Sequence, residues 1–295
     1  MIEVEDLRKE YGDFVAVEGS TFTVEPGEVF GVVGPNGAGK TTTLKMLAGL
    51  VEPTSGTARV GGRATDDPET RRNLGFLPEE SPLYEEMTAT SYLTFFADLY
   101  DVPRSVATDR IDDALDRLDL DHRSRKIGDM SKGMKRKVAI ARSLVNDPDV
   151  LVFDEPASGL DPLTTNYIID FTRELSDRSK TVVFSAHNLY HVESICDRVI
   201  VMNRGRIIAR GTLEEIRDRH GTTEYHVYTT VDVPEAVREN GRYKRVVDDM
   251  GAVEETRGLA ADRGGEVTDI RTEEPSLEEI FLDIADETPT GEAET

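Results

Sequence analysis

Nine consecutive residues, Gly34, Pro35, Asn36, Gly37, Ala38, Gly39, Lys40, Thr41 and Thr42, spell a complete G-x-x-x-x-G-K-[ST] loop. The loop lies directly between the apolar run Val29, Phe30, Gly31, Val32, Val33 and a helical run from Leu44 to Leu50. A strand that turns through glycines into a helix leaves few architectures open. Glycines let successive backbone N–H groups point inward without Cβ clashes, and the helix behind them presents the positive end of its dipole, so the turn is an anion nest. In such a loop the lysine, here Lys40, reaches the β- and γ-phosphates of a nucleotide, and the next hydroxyl, Thr41, is offered to Mg²⁺.

The rest of the pattern predicts an α/β fold. Ahead of the loop, Ile2, Val4 and Leu7, then Phe14, Ala16 and Val17, then Phe22 and Val24 alternate as strands of a small antiparallel sheet, and Ala58-Arg59-Val60 closes it. From Pro82 to about Leu120 the period changes to 3.6: Leu93, Phe96, Ala97 and Tyr100 form one stripe, and Ile111, Ala114, Leu115 and Leu118 another. Residues from about 82 to 147 are read as a helical subdomain. Helices and apolar strands then alternate through Val138–Val145, Val150–Phe153, Tyr167–Leu175, Thr181–Ser185 and Val199–Met202, which argues for a mainly parallel sheet covered by helices.

Composition sets the outer limits. No apolar stretch approaches the ~18 residues needed to cross a bilayer, and Met1-Ile2-Glu3-Val4-Glu5 carries no leader pattern, so a soluble chain made in the cytoplasm is expected. The 58 acids against 35 bases give a net charge of -23, which repels nucleic-acid phosphates; no nucleic acid is expected as a partner. With 26 Arg and only 9 Lys among the bases, the acid excess suggests a surface adapted to high salt. A single cysteine, Cys196, among Val192, Ile195 and Val199, reads as a packing residue.

Domain boundaries follow charge. Residues 1–219 read as the nucleotide-binding domain, 220–285 as an acidic α+β accessory domain, and 286–295 as a disordered tail. From residue 221 onward 20 acids face 7 bases, so a quarter of the chain carries more than half of its net charge. Ser276 and Glu279 fit a capping box leading a short helix with Leu277, Ile280, Phe281 and Ile284 on one face, a helix expected to dock on the body.

A phosphate loop alone says only that a nucleoside triphosphate binds. Downstream, the buried strand Val150–Phe153 ends in Asp154-Glu155, which puts two carboxylates at the sheet edge where α/β ligands bind. Asp154 is placed for the Mg²⁺ shell and Glu155, one residue on, for polarising the attacking water. With Met130-Ser131-Lys132-Gly133-Met134 between loop and carboxylates, Ser158-Gly159-Leu160-Asp161 after them, His187 after the next strand and Tyr11 near the start, the chain resembles the ATP-binding subunit of an ABC transporter over roughly residues 1 to 215.

That resemblance implies a specific division of labour. Ser131 and the Gly133 N–H cap the γ-phosphate bound by the opposite subunit, so each complete site needs two chains, either a homodimer or a pair with a similar ATPase subunit. Asp161, at the end of the family's D-loop, is a candidate for nucleotide binding, His187 contacts the γ-phosphate and holds water and Glu155 in line, and Tyr11 stacks on adenine. Lys132 stands where the family usually has glycine, but S-K-G-M-K resembles a branch of exporter subunits. Glu79, in Phe76-Leu77-Pro78-Glu79-Glu80, stands where glutamine is usual; it remains a candidate for Mg²⁺ or water, adds a negative charge beside the phosphates, and lies in a segment that meets the membrane partner. The run Ser276 to Leu282 resembles the tail of drug and antibiotic efflux subunits.

The expected function is therefore an ATP-hydrolysing motor on the cytoplasmic face of the membrane, using ATP and Mg²⁺ and pulling on separately encoded integral membrane permeases, in the direction of export. An ABC-type ATPase acting on ribosomes or DNA is the alternative; the acidic charge and the short helical insertion argue against it, and Glu155 with His187 argue against a module of little turnover.

Overall fold

The computed structural model describes residues 1–221 and 223–287 and divides the chain into one unit of Met1–Thr212 and a second from Leu213 onward. The first unit opens with β1 (Ile2–Tyr11), β2 (Phe14–Val24) and β3 (Val29–Val33), then α1 (Lys40–Leu47), β4 (Ser55–Val60) and β5 (Arg63–Ala64). Strands β2, β1, β4 and β5 pair in that order into a four-stranded sheet with antiparallel neighbours. After α2 (Pro68–Arg72) and β6 (Leu74–Leu77), the chain forms α3 (Ala89–Leu99), α4 (Arg104–Arg117) and α5 (Lys132–Leu144). It returns through β7 (Val150–Phe153), α6 (Pro162–Asp177), β8 (Thr181–Ala186), α7 (Leu189–Ile195), β9 (Arg198–Asn203) and β10 (Arg206–Gly211).

The central sheet runs β10-β9-β3-β8-β7-β6, parallel throughout except for the edge strand β10. Every residue of β3, β7 and β8 is buried, as expected for parallel strands covered on both faces. Between the two sheets lies a core that includes Phe30, Val32, Leu44, Met46 and Leu47, with Phe22 stacked on Phe30 at a centroid distance of 5.4 Å. Each such fully buried side chain contributes about 1.5–3 kcal/mol relative to exposure. On the other face of β3, Gly31 packs against Cys196 Sγ and Val192, and burial pushes the Cys196 thiol well above the usual range.

Register decides where the site falls. Val33 aligns with Ala186, whereas Phe153 aligns with Phe184 and with Leu77, so β7 and β6 end two residues before β3 and β8, at the same edge of the sheet. The chain leaves those ends as the phosphate loop, as Pro78-Glu79, as Asp154-Glu155 and as His187.

In the second unit α8 (Leu213–His220) packs with α10 (Leu277–Glu287), while β11 (Glu224–Thr229), β12 (Val237–Glu239), β13 (Arg242–Val247) and β14 (Val267–Glu273) form an antiparallel sheet ordered β12-β13-β11-β14. Helix α9 (Met250–Asp262) covers one face of it through Val227, Val247 and Val253. The helix Leu213–His220, placed in the first domain by its sequence, thus falls with the second unit because its partner is α10. Helix α10 runs through Glu287, past the start of the tail expected from residue 286; residues 288–295 of that tail lie outside the described residues. No helix among the described residues is long and apolar enough to cross a membrane.

Candidate active site

The phosphate loop is shaped by what surrounds it. Gly34 has φ +148°, and a Cβ there would stand 2.1 Å from the Met202 carbonyl oxygen; at Gly39, φ +100°, it would stand 2.4 Å from that of Ala16. Only glycine fits both the backbone conformation and the space. The loop bounds a cleft of about 480 Å³, lined by Pro35 through Thr42, Phe14, Ala16, Glu79, Glu155, Ser158 and His187.

Two linked clusters lie at this edge. In the first, Thr41 Oγ1 is 3.1 Å from Asp154 Oδ1, and the same carboxylate oxygen accepts from Ser185 Oγ at 2.7 Å. Ser185 lies on β8, between the loop strand β3 and the carboxylate strand β7, and its Oγ also accepts the Glu155 N–H at 2.9 Å. In the second, the Glu155 carboxylate sits between two cations or potential cations: Lys40 Nζ at 3.6 Å and His187 Nδ1 at 2.9 Å. A carboxylate acceptor assigns the proton to Nδ1 and leaves Nε2 free to face a ligand. Lys40 Nζ meanwhile donates to the carbonyls of Gly34 at 2.7 Å and Pro35 at 3.3 Å.

Glu155 has φ +46°, a left-handed backbone that is unusual for a non-glycine residue and costs about 1–3 kcal/mol. Buried to 8% exposure, it is held there by neighbours that bind its main chain.

The remaining sequence candidates are spread more widely. Tyr11 does not line the cleft; it pairs with Phe14 across the β1–β2 turn, and it is Phe14 that faces the loop. Ser131 is the N-cap of α5, accepting from the Met134 N–H at 3.2 Å, and Gly133 follows in its first turn against Thr164; neither lines the cleft of their own chain. Asp161 caps α6, and its hydrogen bonds with Thr164 hold its carboxyl below the usual range. Lys132 reaches over Gly159. Sequence reasoning missed Phe14, Ser185 and Arg136 as site residues and took Ser158 only as part of the run leading to Asp161; a hydroxyl after the apolar run Val182-Val183-Phe184 was the available signal for Ser185.

The donor set suits a small hard cation: one hydroxyl and one buried carboxylate, both oxygen, facing a nest built for phosphates. Among the described residues no group of three or more metal-binding side chains gathers, so a cation here would complete its shell from substrate oxygens and water.

A phosphate loop and an Asp-Glu pair delivered to one edge of a mainly parallel sheet define a P-loop nucleoside triphosphatase. The family described as ABC transporter matches residues 17–158, and that described as the C-terminal domain of DrrA1-3-like ATP-binding proteins matches residues 211–285. With the ABC transporter ATP-binding protein NatA of Bacillus subtilis (strain 168) the chain shares 41% identity over 224 residues, 73% of this chain and 91% of that protein. The chain therefore belongs to the ATP-binding subunits of ABC transporters and is an ATPase of that family. The linearmycin resistance ATP-binding protein LnrL of the same strain is 32% identical over 308 residues, 98% of this chain and 99% of that one. A solved structure described as the dimeric post-hydrolysis state of the ATP-binding cassette MJ0796 bound to ADP and Pi matches with a TM-score of 0.65 and 25% identity, covering 72% of this chain and 99% of that one.

Proposed function

We propose that two copies of this chain, or one copy and a similar subunit, close around two ATP molecules at the cytoplasmic face of the membrane and drive separate integral membrane subunits in export. The observation that carries the reading is the Glu155 carboxylate, fixed between Lys40 and His187 at the mouth of a phosphate-loop cleft. Ser131 and Gly133, at a helix N-terminus away from that cleft, are a second anion-binding end available to a partner's nucleotide, and Asp161 lies in the segment between them. The dimeric cassette with its ADP and Pi and the resistance protein LnrL, which matches both units, support dimerisation and efflux.

In this mechanism Lys40 leaves the Gly34 and Pro35 carbonyls for the β- and γ-phosphates, while the loop N–H groups of Gly37 to Thr42 receive the remaining oxygens. Adenine rests on the aromatic hairpin end formed by Tyr11 and Phe14. Glu155 accepts the proton of the attacking water, and His187 fixes the carboxylate through its Nδ1–H. Thr41 and Asp154 would hold Mg²⁺, with Glu79 beside them, and the ion would neutralise charge on the phosphate oxygens as they are displaced. The acid excess further supports a protein adapted to high salt.

The test is Glu155→Gln. Hydrolysis should fall by about 10²–10⁴ while ATP still binds, and the variant should run as an ATP-dependent dimer in light scattering. Turnover at the parent rate, or a monomer at saturating ATP, would remove the shared-site mechanism.

A further inference from the structure

Arg136, in the second turn of α5, is 8% exposed, and its whole hydrogen-bonding capacity goes to the main chain around the site. A guanidinium carries five N–H donors in a planar fork. Nε donates to the Pro156 carbonyl at 2.6 Å; Nη1 donates to Pro78 at 2.7 Å and Glu79 at 2.9 Å; Nη2 donates to Asp154 at 3.1 Å and Glu155 at 2.8 Å. Among the described residues, no carboxylate lies within ion-pair distance of it. Burial draws the guanidinium down to about 10 while the Asp154 carboxylate opposes that shift, so it remains charged at neutral pH. A cation is thus held out of water by charge-assisted bonds to five carbonyls, all of them on two segments that leave adjacent strands, β6 and β7.

Those segments carry Glu79 and the Asp154-Glu155 pair. Glu155 is the residue with the strained φ of +46°, and it is clamped from both sides: its N–H by Ser185, its C=O by Arg136 at 2.8 Å and by the Ser158 N–H at 3.1 Å. Without Arg136 that C=O keeps the neutral Ser158 N–H but loses its charge-assisted bond, and the backbone can relax toward an ordinary conformation, which swings the carboxylate away from Lys40 and His187. Because the same guanidinium is part of the helix led by Ser131, the two segments and that helix are tied into one body.

We infer that Arg136 is a positioning residue for hydrolysis, setting the Glu155 carboxylate and the Glu79 segment from the signature helix through these five carbonyl bonds. The inference rests on the reading of Glu155 as the group that polarises water. Displacing a reacting group by about 1 Å costs on the order of 10²-fold in rate, so Arg136→Met should lower kcat by about that factor. The dissociation constant for ATP should stay within about twofold, since no phosphate-loop atom bonds to Arg136.

The decisive experiment is a double-mutant cycle on the full chain, with kcat and ATP affinity measured for R136M, E155Q and the pair. If Arg136 acts through Glu155, the pair is no slower than E155Q alone. The same factor lost again on top of E155Q, or R136M turning over at the parent rate, would overturn the inference. Should R136M not fold, R136K takes its place: it keeps the charge but offers three donors for five acceptors, and it should lose about tenfold in kcat at unchanged ATP affinity. Parent-rate turnover by R136K would then overturn it. E155Q alone separates the two claims, because its loss of turnover upholds the mechanism whatever Arg136 does.

Discussion

Lys40 shows how a charged side chain is stored before its ligand arrives. Its ammonium is buried, donates to two loop carbonyls and lies 3.6 Å from Glu155. Lys40→Ala removes a charge-assisted contact worth about 1.5–3 kcal/mol, so affinity for ATP and for inorganic tripolyphosphate should both fall by roughly 10- to 100-fold. Phe14→Ala should behave differently. Loss of an aromatic under a base costs about 1–3 kcal/mol, so ATP affinity should drop while tripolyphosphate affinity holds, as read by isothermal titration of both ligands. An equal loss for both ligands would place Phe14 outside the adenine contact. The phosphate loop was legible because its function is contiguous: nine residues make the nest, and each speaks to its neighbours. Phe14, Ser185 and Arg136 were not, since their partners lie up to 58 residues away and are main-chain atoms or a side chain met only across the sheet. A residue type at a spacing carries no trace of such contacts.

Elements were easier to read than their faces. On α3 the expected stripe was Leu93, Phe96, Ala97 and Tyr100, whereas the structure buries Ala89, Tyr92, Leu93 and Ala97. The helix is rotated toward Tyr92 because its hydroxyl finds a partner in Arg142 Nη1 at 3.2 Å, which lets the whole ring enter the core. For α4 the stripe Ile111, Ala114, Leu115 and Leu118 is buried throughout, with no polar atom to perturb it. Helix α10 has the reciprocal cap its sequence suggested: the Glu279 N–H donates to Ser276 Oγ at 3.2 Å, and the Ser276 N–H donates to Glu279 Oε2 at 2.8 Å. The cap sits directly before Leu277 and Ile280, which are buried. Ser276→Ala should therefore cost about 1 kcal/mol, seen as faster amide exchange across α10 in the intact chain. The Ser276 N–H holds the Glu279 carboxyl below its usual 4.5. A depressed carboxylate contributes stability that is present above the unfolded value and lost as pH falls through the folded one, so protection of α10 should fade below about pH 4.5. Unchanged exchange in S276A would mean that burial of Leu277 and Ile280 alone fixes the helix.

At the scale of the molecule two electrostatic effects oppose each other. Exposed ion pairs such as Lys126–Glu86 and Arg104–Asp98 weaken as salt rises, but in water each contributes little to begin with. Against them stands the self-repulsion of a chain with net charge -23, whose carboxylates act on one another over a Debye length of about 10 Å at 0.1 M and about 3 Å at 1 M. The excess of acids is densest from residue 221 onward, where 20 acids face 7 bases. Raising potassium chloride from about 0.1 M to about 1 M should therefore raise the melting temperature. A gain of about 1–2 kcal/mol appears as roughly 2–8 °C in a chain of this size. Sucrose at matched osmolality separates charge screening from general exclusion of cosolute, because exclusion stabilises without screening. A melting temperature that stays level or falls in potassium chloride would show that ion pairing, rather than repulsion, governs this surface.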